Sequence, residues 1–402
     1  LKGDLTLHGS GFPDVYQLLS PGSRGLLDSL AFLLRFSGLA KFEGTLRVDG
    51  GLFAREPFGL GWAIDDLPYS YGAPINALLA NGNAATLIAT ATKRGVDLAI
   101  DPPETPLTLT GRVALADSSA TPRLAVSREP GSRILRVSGQ VPRGGVARRQ
   151  VAAPDPDSTA GLVLLGAMRR AGIDIRARVE VLAPNGPAEP PKRGRGWSQV
   201  GPQERATVVA LESPRAAAIV SMVDAYSLNV ETEALLRLLD PAPRGKSAAP
   251  GLRRMAAILA EAGVDTLDLS LVDGSGLSPL NLATARSFVQ WLAYLDRDST
   301  LGGVFRETLA VPGGVGTLQK RLAGLNSGAD LRAKTGTLSN VSTLSGYLMT
   351  ADHERVAFSI LSNGNRGGVG AAHVAEEAIV GLLTRFRRPP PEPARLPVGI
   401  PR

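Results

Sequence analysis

Short runs in which apolar or β-branched positions alternate with polar ones, broken by Gly, Pro and Asp, occupy the first half of the chain at 5–7, 44–48, 107–114 and 134–141 and predict β-strands. At 161–171 and 75–80 the apolar positions recur with helical spacing, which predicts helical segments among those strands. From 185 to 197 the chain turns to Pro, Gly, Lys and Arg, the composition of a solvated loop or domain junction. Beyond it the period changes. Ser213-Pro214 reads as an N-cap followed by proline at the first helical position, leading into a helix over 215–224. Apolar stripes at i, i+3 and i+4 predict helices over 230–239, 251–262 and 282–295. Strands return at 343–349 and 355–361, joined by a turn at Ala351-Asp352-His353-Glu354. A last helix over 371–383 precedes Arg387-Arg388 and a proline-rich end expected to be disordered. Helices packed on an antiparallel sheet and preceded by β-rich segments place the chain in the α+β class.

A length of 402 residues exceeds one ordinary core and predicts two or three domains. Apolar residues at 44% and charged residues at 20% describe a globular chain, and no apolar run approaches the roughly 20 residues needed to span a bilayer. No positively charged start followed by an apolar stretch marks a signal peptide. The chain opens on Leu1, and Leu1-Lys-Gly-Asp-Leu-Thr-Leu7 already alternates like a strand in mid-domain, so the natural N-terminus is expected to lie upstream. Without cysteine there are no disulfides, no thiolate metal sites and no cysteine nucleophile. Lys and Arg total 44 against 37 acids, a net charge of +7 that favours anionic surroundings such as nucleic acid, anionic wall polymers or lipid headgroups. Aromatic residues at 5%, with no RNP-like, zinc-finger or helix-turn-helix pattern, argue against nucleic acid. His8, His353 and His373 are scattered, and neither His-Glu-x-x-His nor Gly-x-Ser-x-Gly occurs, so no metal, no cofactor and no histidine-based triad is predicted.

The chemistry concentrates in two short motifs. Lys334-Thr335-Gly336, inside Leu331-Arg-Ala-Lys-Thr-Gly-Thr-Leu338, offers an ammonium that lowers a neighbouring serine's pKa, and threonine hydroxyls suited to a substrate carboxylate. Gly336 leaves room for a substrate against the strand, and a backbone N–H near Thr337 suits a developing oxyanion. Upstream, Ser227-Leu228-Asn229 lies between two predicted helices, where short polar side chains project into a cleft. Its hydroxyl suits proton transfer to a leaving group, and its amide suits both a lysine and a peptide oxygen. The motifs match two of three signatures of serine acyl-enzymes that cut D-alanyl peptides or β-lactams. The third, Ser-x-x-Lys, is not spelled here. None of the seven lysines follows a serine by three residues, and Thr317 before Lys320 only approximates the pattern.

Further motifs carry a resemblance. Asp273-Gly-Ser-Gly-Leu-Ser278 demands a tight loop, and Gly313-Gly-Val-Gly-Thr-Leu318 and Leu344-Ser-Gly-Tyr347 flank the lysine motif. With the opening 1–11, the segment 62–73, Arg148-Arg149 and Asp155-Pro156, the chain resembles the D-alanyl-D-alanine carboxypeptidase/endopeptidase family, the class C low-molecular-mass penicillin-binding proteins, over nearly its whole length.

The resemblance implies a β-lactamase/transpeptidase-like domain split by a large insertion that itself carries a further small domain. Residues 1–76 and 148–200 would form a β-rich inserted domain, 77–147 the further small one, 201–386 the serine DD-peptidase-like domain, and 387–402 a proline-rich tail. Ser227, Asn229 and Lys334 would be catalytic. Thr335, Gly336, Thr337, Leu338 and Ser275 would bind substrate, with Asp65, Asp66 and Tyr71 reaching toward its peptide side chain. The implied partners are peptidoglycan stem peptides, with β-lactams as covalent inhibitors, in an extracytoplasmic location; the oligomeric state is not implied. The family's Ser-x-x-Lys lies a few tens of residues before the segment that here begins the chain, so the 402 residues alone are expected to be inactive. Several relatives place arginine after the Gly-Leu-Ser of the loop where this chain has Pro279, which removes a grip on a distal carboxylate. The alternative is a non-catalytic homologue that binds wall peptides or scaffolds partners.

Overall fold

The fold is that of a computed structural model, and it describes residues 1–20, 25–183, 209–325 and 328–389. The loop expected over 185–197 lies outside the described residues, as does the tail from 390. In chain order the elements are β1 (Leu5–His8), α1 (Tyr16–Leu19), α2 (Leu26–Phe36), β2 (Lys41–Asp49), β3 (Ala84–Thr92), β4 (Gly95–Asp101), β5 (Thr108–Ala116), β6 (Arg123–Ser127), β7 (Ile134–Pro142), β8 (Val146–Ala152), α3 (Pro156–Arg170) and β9 (Asp174–Val181). There follow α4 (Ala216–Tyr226), α5 (Asn229–Leu238), α6 (Ala248–Glu261), α7 (Ala285–Arg297), α8 (Gly302–Thr308), β10 (Arg332–Leu338), β11 (Val341–Met349), β12 (Arg355–Asn363) and α9 (Gly368–Arg385). Two compact units divide the chain, Leu1–Trp291 and Leu292–Arg402, with the boundary inside α7. No described helix is long and apolar enough to cross a membrane.

In the first unit, β1, β2 and β9 form a parallel sheet in the order β1-β2-β9. Its inward residues Phe42, Leu46 and Val48 meet Leu164, Leu165 and Met168 of α3 in one core. The start of α3 is written in its sequence: Asp155 caps it by accepting from the Ser158 amide at 3.3 Å, proline stands in the first turn, and Arg169 and Arg170 close the last turn. Gly161 lets the helix approach, since a Cβ there would stand 2.6 Å from Val179. Two further sheets, β4-β3-β8 and β5-β7-β6, enclose a second core built from Leu87, Leu135, Val137, Val141 and Val151.

Two expectations fail here for local reasons. Residues 75–79 are buried but not helical, because the Asn76 side chain accepts from the Leu79 amide at 3.0 Å and Leu79 takes φ 44°, both of which divert the backbone from an α-helix. The helix expected over 215–224 is present as α4, but Arg215 stands at its N-cap in place of Ser213 and provides no side-chain cap. The other predicted strands and helices outside the undescribed segments are present within a few residues of their expected limits.

The second unit is an antiparallel sheet in the order β10-β11-β12 against α9. Leu331, Ala333, Leu344, Leu348, Phe358 and Val380 fill its core. Buried Glu376 of α9 accepts from the Ser342 hydroxyl of β11 at 2.7 Å and pairs with Arg321 at 2.8 Å, which fastens helix to sheet.

Candidate active site

The Ser-x-Asn element occupies the tight junction between α4 and α5. Ser227 ends α4 in the left-handed region at φ 57° and ψ 58°, a conformation uncommon for a serine and one that turns the chain directly into the next helix. Asn229 opens α5, and its Nδ2 donates to the Tyr71 carbonyl at 3.1 Å. The Tyr71 hydroxyl donates to Asp66 at 2.9 Å, and its ring stacks on Tyr69 with centroids 5.5 Å apart. Burial, and next the Asp66 carboxylate, push the Tyr71 hydroxyl above the ordinary tyrosine range, so it stays a donor. The structure therefore brings Asn229, Tyr71 and Asp66 together, while Asp65 is exposed beside them.

One turn into the same helix stands a group that the sequence reading missed. Glu233 is fully buried. One of its carboxylate oxygens accepts from the Gly274 and Ser275 amides at 2.7 and 2.9 Å, and the other pairs with buried Arg237 at 2.9 Å. Arg237 reaches on to the Glu56 carbonyl at 3.2 Å. The Asp273-Gly-Ser-Gly loop is thus clamped onto α5, and a second set of bonds shapes it from within. Asp273 accepts from the Gly276 and Ser278 amides, from Asn281 Nδ2 at 2.7 Å and from the Trp62 indole at 3.1 Å. Ser275 therefore sits on a rigid loop beside the helix that begins with Asn229. Glu233 and Arg237 show i, i+4 spacing on a predicted helix, which is the one local signal that marks them.

In the second unit, Lys334 and Gly336 lie on one face of β10 and Ala333 and Thr335 on the core face. Lys334 is half-buried, pairs in register with Ser345, and donates to the Thr335 carbonyl at 2.7 Å. Buried Thr335 donates to the Thr317 hydroxyl at 2.9 Å, so the Gly313–Leu318 stretch and the lysine motif meet. Thr317, which approximates the nucleophile pattern before Lys320, thus holds the strand, and Lys320 is exposed. Thr337 is exposed and Leu338 half-buried at the strand's end. A Cβ on Gly336 would stand 2.4 Å from the Thr343 hydroxyl, so the glycine makes room for β11. Gly346 has the same role more severely, since its Cβ would lie 2.0 Å from the Arg332 carbonyl oxygen. Tyr347 is buried with its hydroxyl on the Leu292 carbonyl at 2.7 Å, and burial raises its pKa to about 12. Among the described residues no group of three or more His, Cys, Asp or Glu is placed to hold a metal ion.

These elements define a class of protein that the comparisons identify. The chain belongs to the D-Ala-D-Ala carboxypeptidase 3 (S13) family, whose model matches residues 1–386. It is similar to the D-alanyl-D-alanine carboxypeptidase of Actinomadura sp. (strain R39), at 28% identity over 412 residues that cover 98% of this chain and 72% of that protein. It is also similar to the D-alanyl-D-alanine carboxypeptidase DacB of Haemophilus influenzae, at 28% identity over 383 residues, covering 92% and 73%. The crystal structure of penicillin binding protein 4 from H. influenzae superposes with a TM-score of 0.71 at 24% identity, covering 96% of this chain and 83% of that one. A crystal structure of the same protein complexed with a β-lactam gives 0.66 at 22% identity, covering 96% and 82%. The fold is thus α+β, of the β-lactamase/transpeptidase-like kind carried by penicillin-binding proteins, as the resemblance implied.

Proposed function

We propose that the protein is a serine-type D-Ala-D-Ala carboxypeptidase and endopeptidase that acts on peptidoglycan peptides outside the cytoplasm through an acyl-enzyme, and that β-lactams acylate it. The observation that carries the reading is the presence, in one chain of this family, of a Ser-x-Asn element at a strained helix junction and of a Lys-Thr-Gly strand. In acylation a serine oxygen adds to the penultimate D-alanyl carbonyl, the bond to the terminal D-alanine breaks, and its amine leaves with a proton. Ser227 passes that proton, Asn229 holds the peptide oxygen, and Lys334 provides the cation that favours alkoxide and carboxylate. Water then attacks the ester, and the freed serine recovers its proton.

Thr337, Gly336 and Leu338 at the strand end, with Thr335 behind them, form the substrate-binding edge. Asp65, Asp66, Tyr71 and Ser275 face the peptide side chain. Residues 1–76 and 148–200 act as the inserted domain that brings in those acids, with 77–147 a further small domain and 201–386 the peptidase part. The reading requires a serine nucleophile that these 402 residues do not spell within Ser-x-x-Lys. That same observation favours the second reading, a non-catalytic homologue that binds wall peptides. Expression from the complete gene, followed by incubation with fluorescent penicillin and with a D-Ala-D-Ala peptide, separates the two. Covalent label and released D-alanine support the enzyme; their absence in a folded product leaves the binding protein.

A further inference from the structure

The chain's positive charge is not spread evenly. Residues 84–152 hold ten Lys and Arg against five Asp and Glu, so this stretch accounts for five of the chain's seven net positive charges. Its two sheets each end on an edge strand, β6 in the order β5-β7-β6 and β8 in the order β4-β3-β8. Between them lies a groove of about 320 Å³ lined by Arg123, Arg148 and Arg149 together with Pro122, Leu124 and Val146. All three arginines are exposed, and none has an ion pair among the described residues. Arg149 is positioned by its guanidinium stacking over the Tyr69 ring, 4.7 Å from the centroid.

Charged side chains on edge strands also keep sheets from pairing with other chains. Either sign of charge serves that end. Three arginines line this one hollow, and guanidinium forks match phosphate oxygens two at a time. The groove offers no aromatic face for base stacking, since Tyr69 is covered by Arg149 on one side and stacks with Tyr71. Binding there would read charge and backbone spacing alone.

We infer that the β6–β8 groove is a binding site for a phosphodiester-linked polyol or sugar polymer, held by Arg123, Arg148 and Arg149. The site does not depend on the catalytic reading, although it adjoins it. From Arg149 the stack runs through Tyr69 to Tyr71, whose carbonyl takes the Asn229 amide. A polymer in the groove is thereby tethered next to the Ser-x-Asn element.

The test is fluorescence anisotropy of a labelled synthetic glycerol-phosphate oligomer titrated with the whole chain across a salt series. Three neutralised phosphates give a slope of log K against log salt of about −2. The double variant Arg123→Gln/Arg148→Gln is expected to bind about tenfold more weakly or worse, because each arginine lost forfeits a charge-assisted contact. The pair Arg253→Gln/Arg254→Gln, exposed on α6, removes the same charge elsewhere and should stay within about twofold. Equal loss in both doubles would show a diffuse field in place of a site and overturn the inference. So would a flat salt dependence, no binding, or tighter binding of single-stranded DNA than of the glycerol-phosphate oligomer.

Discussion

Two acids on α5, two positions apart, show how environment decides what a side chain does. Glu233 is buried but fully partnered by Arg237 and by two loop amides, whereas buried Glu231 lies against Gly82 and near Asp14. Removing one member of a buried pair leaves the other charge without compensation, which costs about 3–5 kcal/mol. Glu233→Ala should therefore destabilise the first unit by that amount in urea unfolding followed by tryptophan fluorescence, since all three tryptophans lie within residues 1–291. An unchanged midpoint would show that the clamp on the Asp273 loop is dispensable.

Burial raises Glu231 from 4.5 to about 7, with Asp14 adding to the shift. The folded chain then holds a proton that the unfolded chain releases between those values. Stability falls as pH rises through that window and levels off above it. Glu231→Gln is expected to flatten the slope and to stabilise the protein at neutral pH by on the order of a few kcal/mol. A wild-type stability that is level between pH 4.5 and 7 would contradict the shift.

At the scale of elements, β10 and β11 approach as closely as they do because Gly346 has no side chain opposite Ala333. Gly346→Ala would force the strands apart at the Arg332 carbonyl, at a cost of about 1–3 kcal/mol. Faster hydrogen exchange at the β10 amides and a lower melting temperature are the expected readouts. Unaltered exchange would mean that the strand pair yields without loss.

The elements also show what a sequence discloses. Period-2 runs at 44–48 and 134–141, and the Asp155-Pro156 start of α3, are local patterns and were legible as such. The alternation of Arg176, Arg178 and Glu180 with Ala177, Val179 and Val181 is equally plain in β9, although the strand ends close to the Pro- and Gly-rich stretch. Residues 75–80 carried helical spacing that a single side-chain bond from Asn76 overrode. The site was legible where its motifs are contiguous, at 227–229 and 334–338. It was not legible where partners come from afar: Glu233 meets a loop 41 residues on, and Trp62 meets Asp273 across 211. Nor does spacing reveal that Thr317 braces Thr335.

At the scale of the whole molecule, a family shared over residues 1–386 accounts for the recurrence of the motifs. On the proposed readings, the basic stretch 84–152 would hold an anionic polymer, and α4, α5 and the lysine strand would carry the acyl-transfer elements. The two functions predict separable losses: variants in the groove change polymer affinity, and variants at Ser227, Asn229 or Lys334 change acylation.

The central claim is that Lys334 serves acyl transfer. The direct measurement is the second-order rate of fluorescent-penicillin acylation of the product of the complete gene, compared with its Lys334→Ala variant, with circular dichroism confirming that both are folded. The account predicts labelling of the unaltered protein and a rate lower by about a hundredfold or more in the variant, the loss expected when the cation that favours the serine alkoxide and the substrate carboxylate is removed. Equal labelling of the two proteins would contradict it.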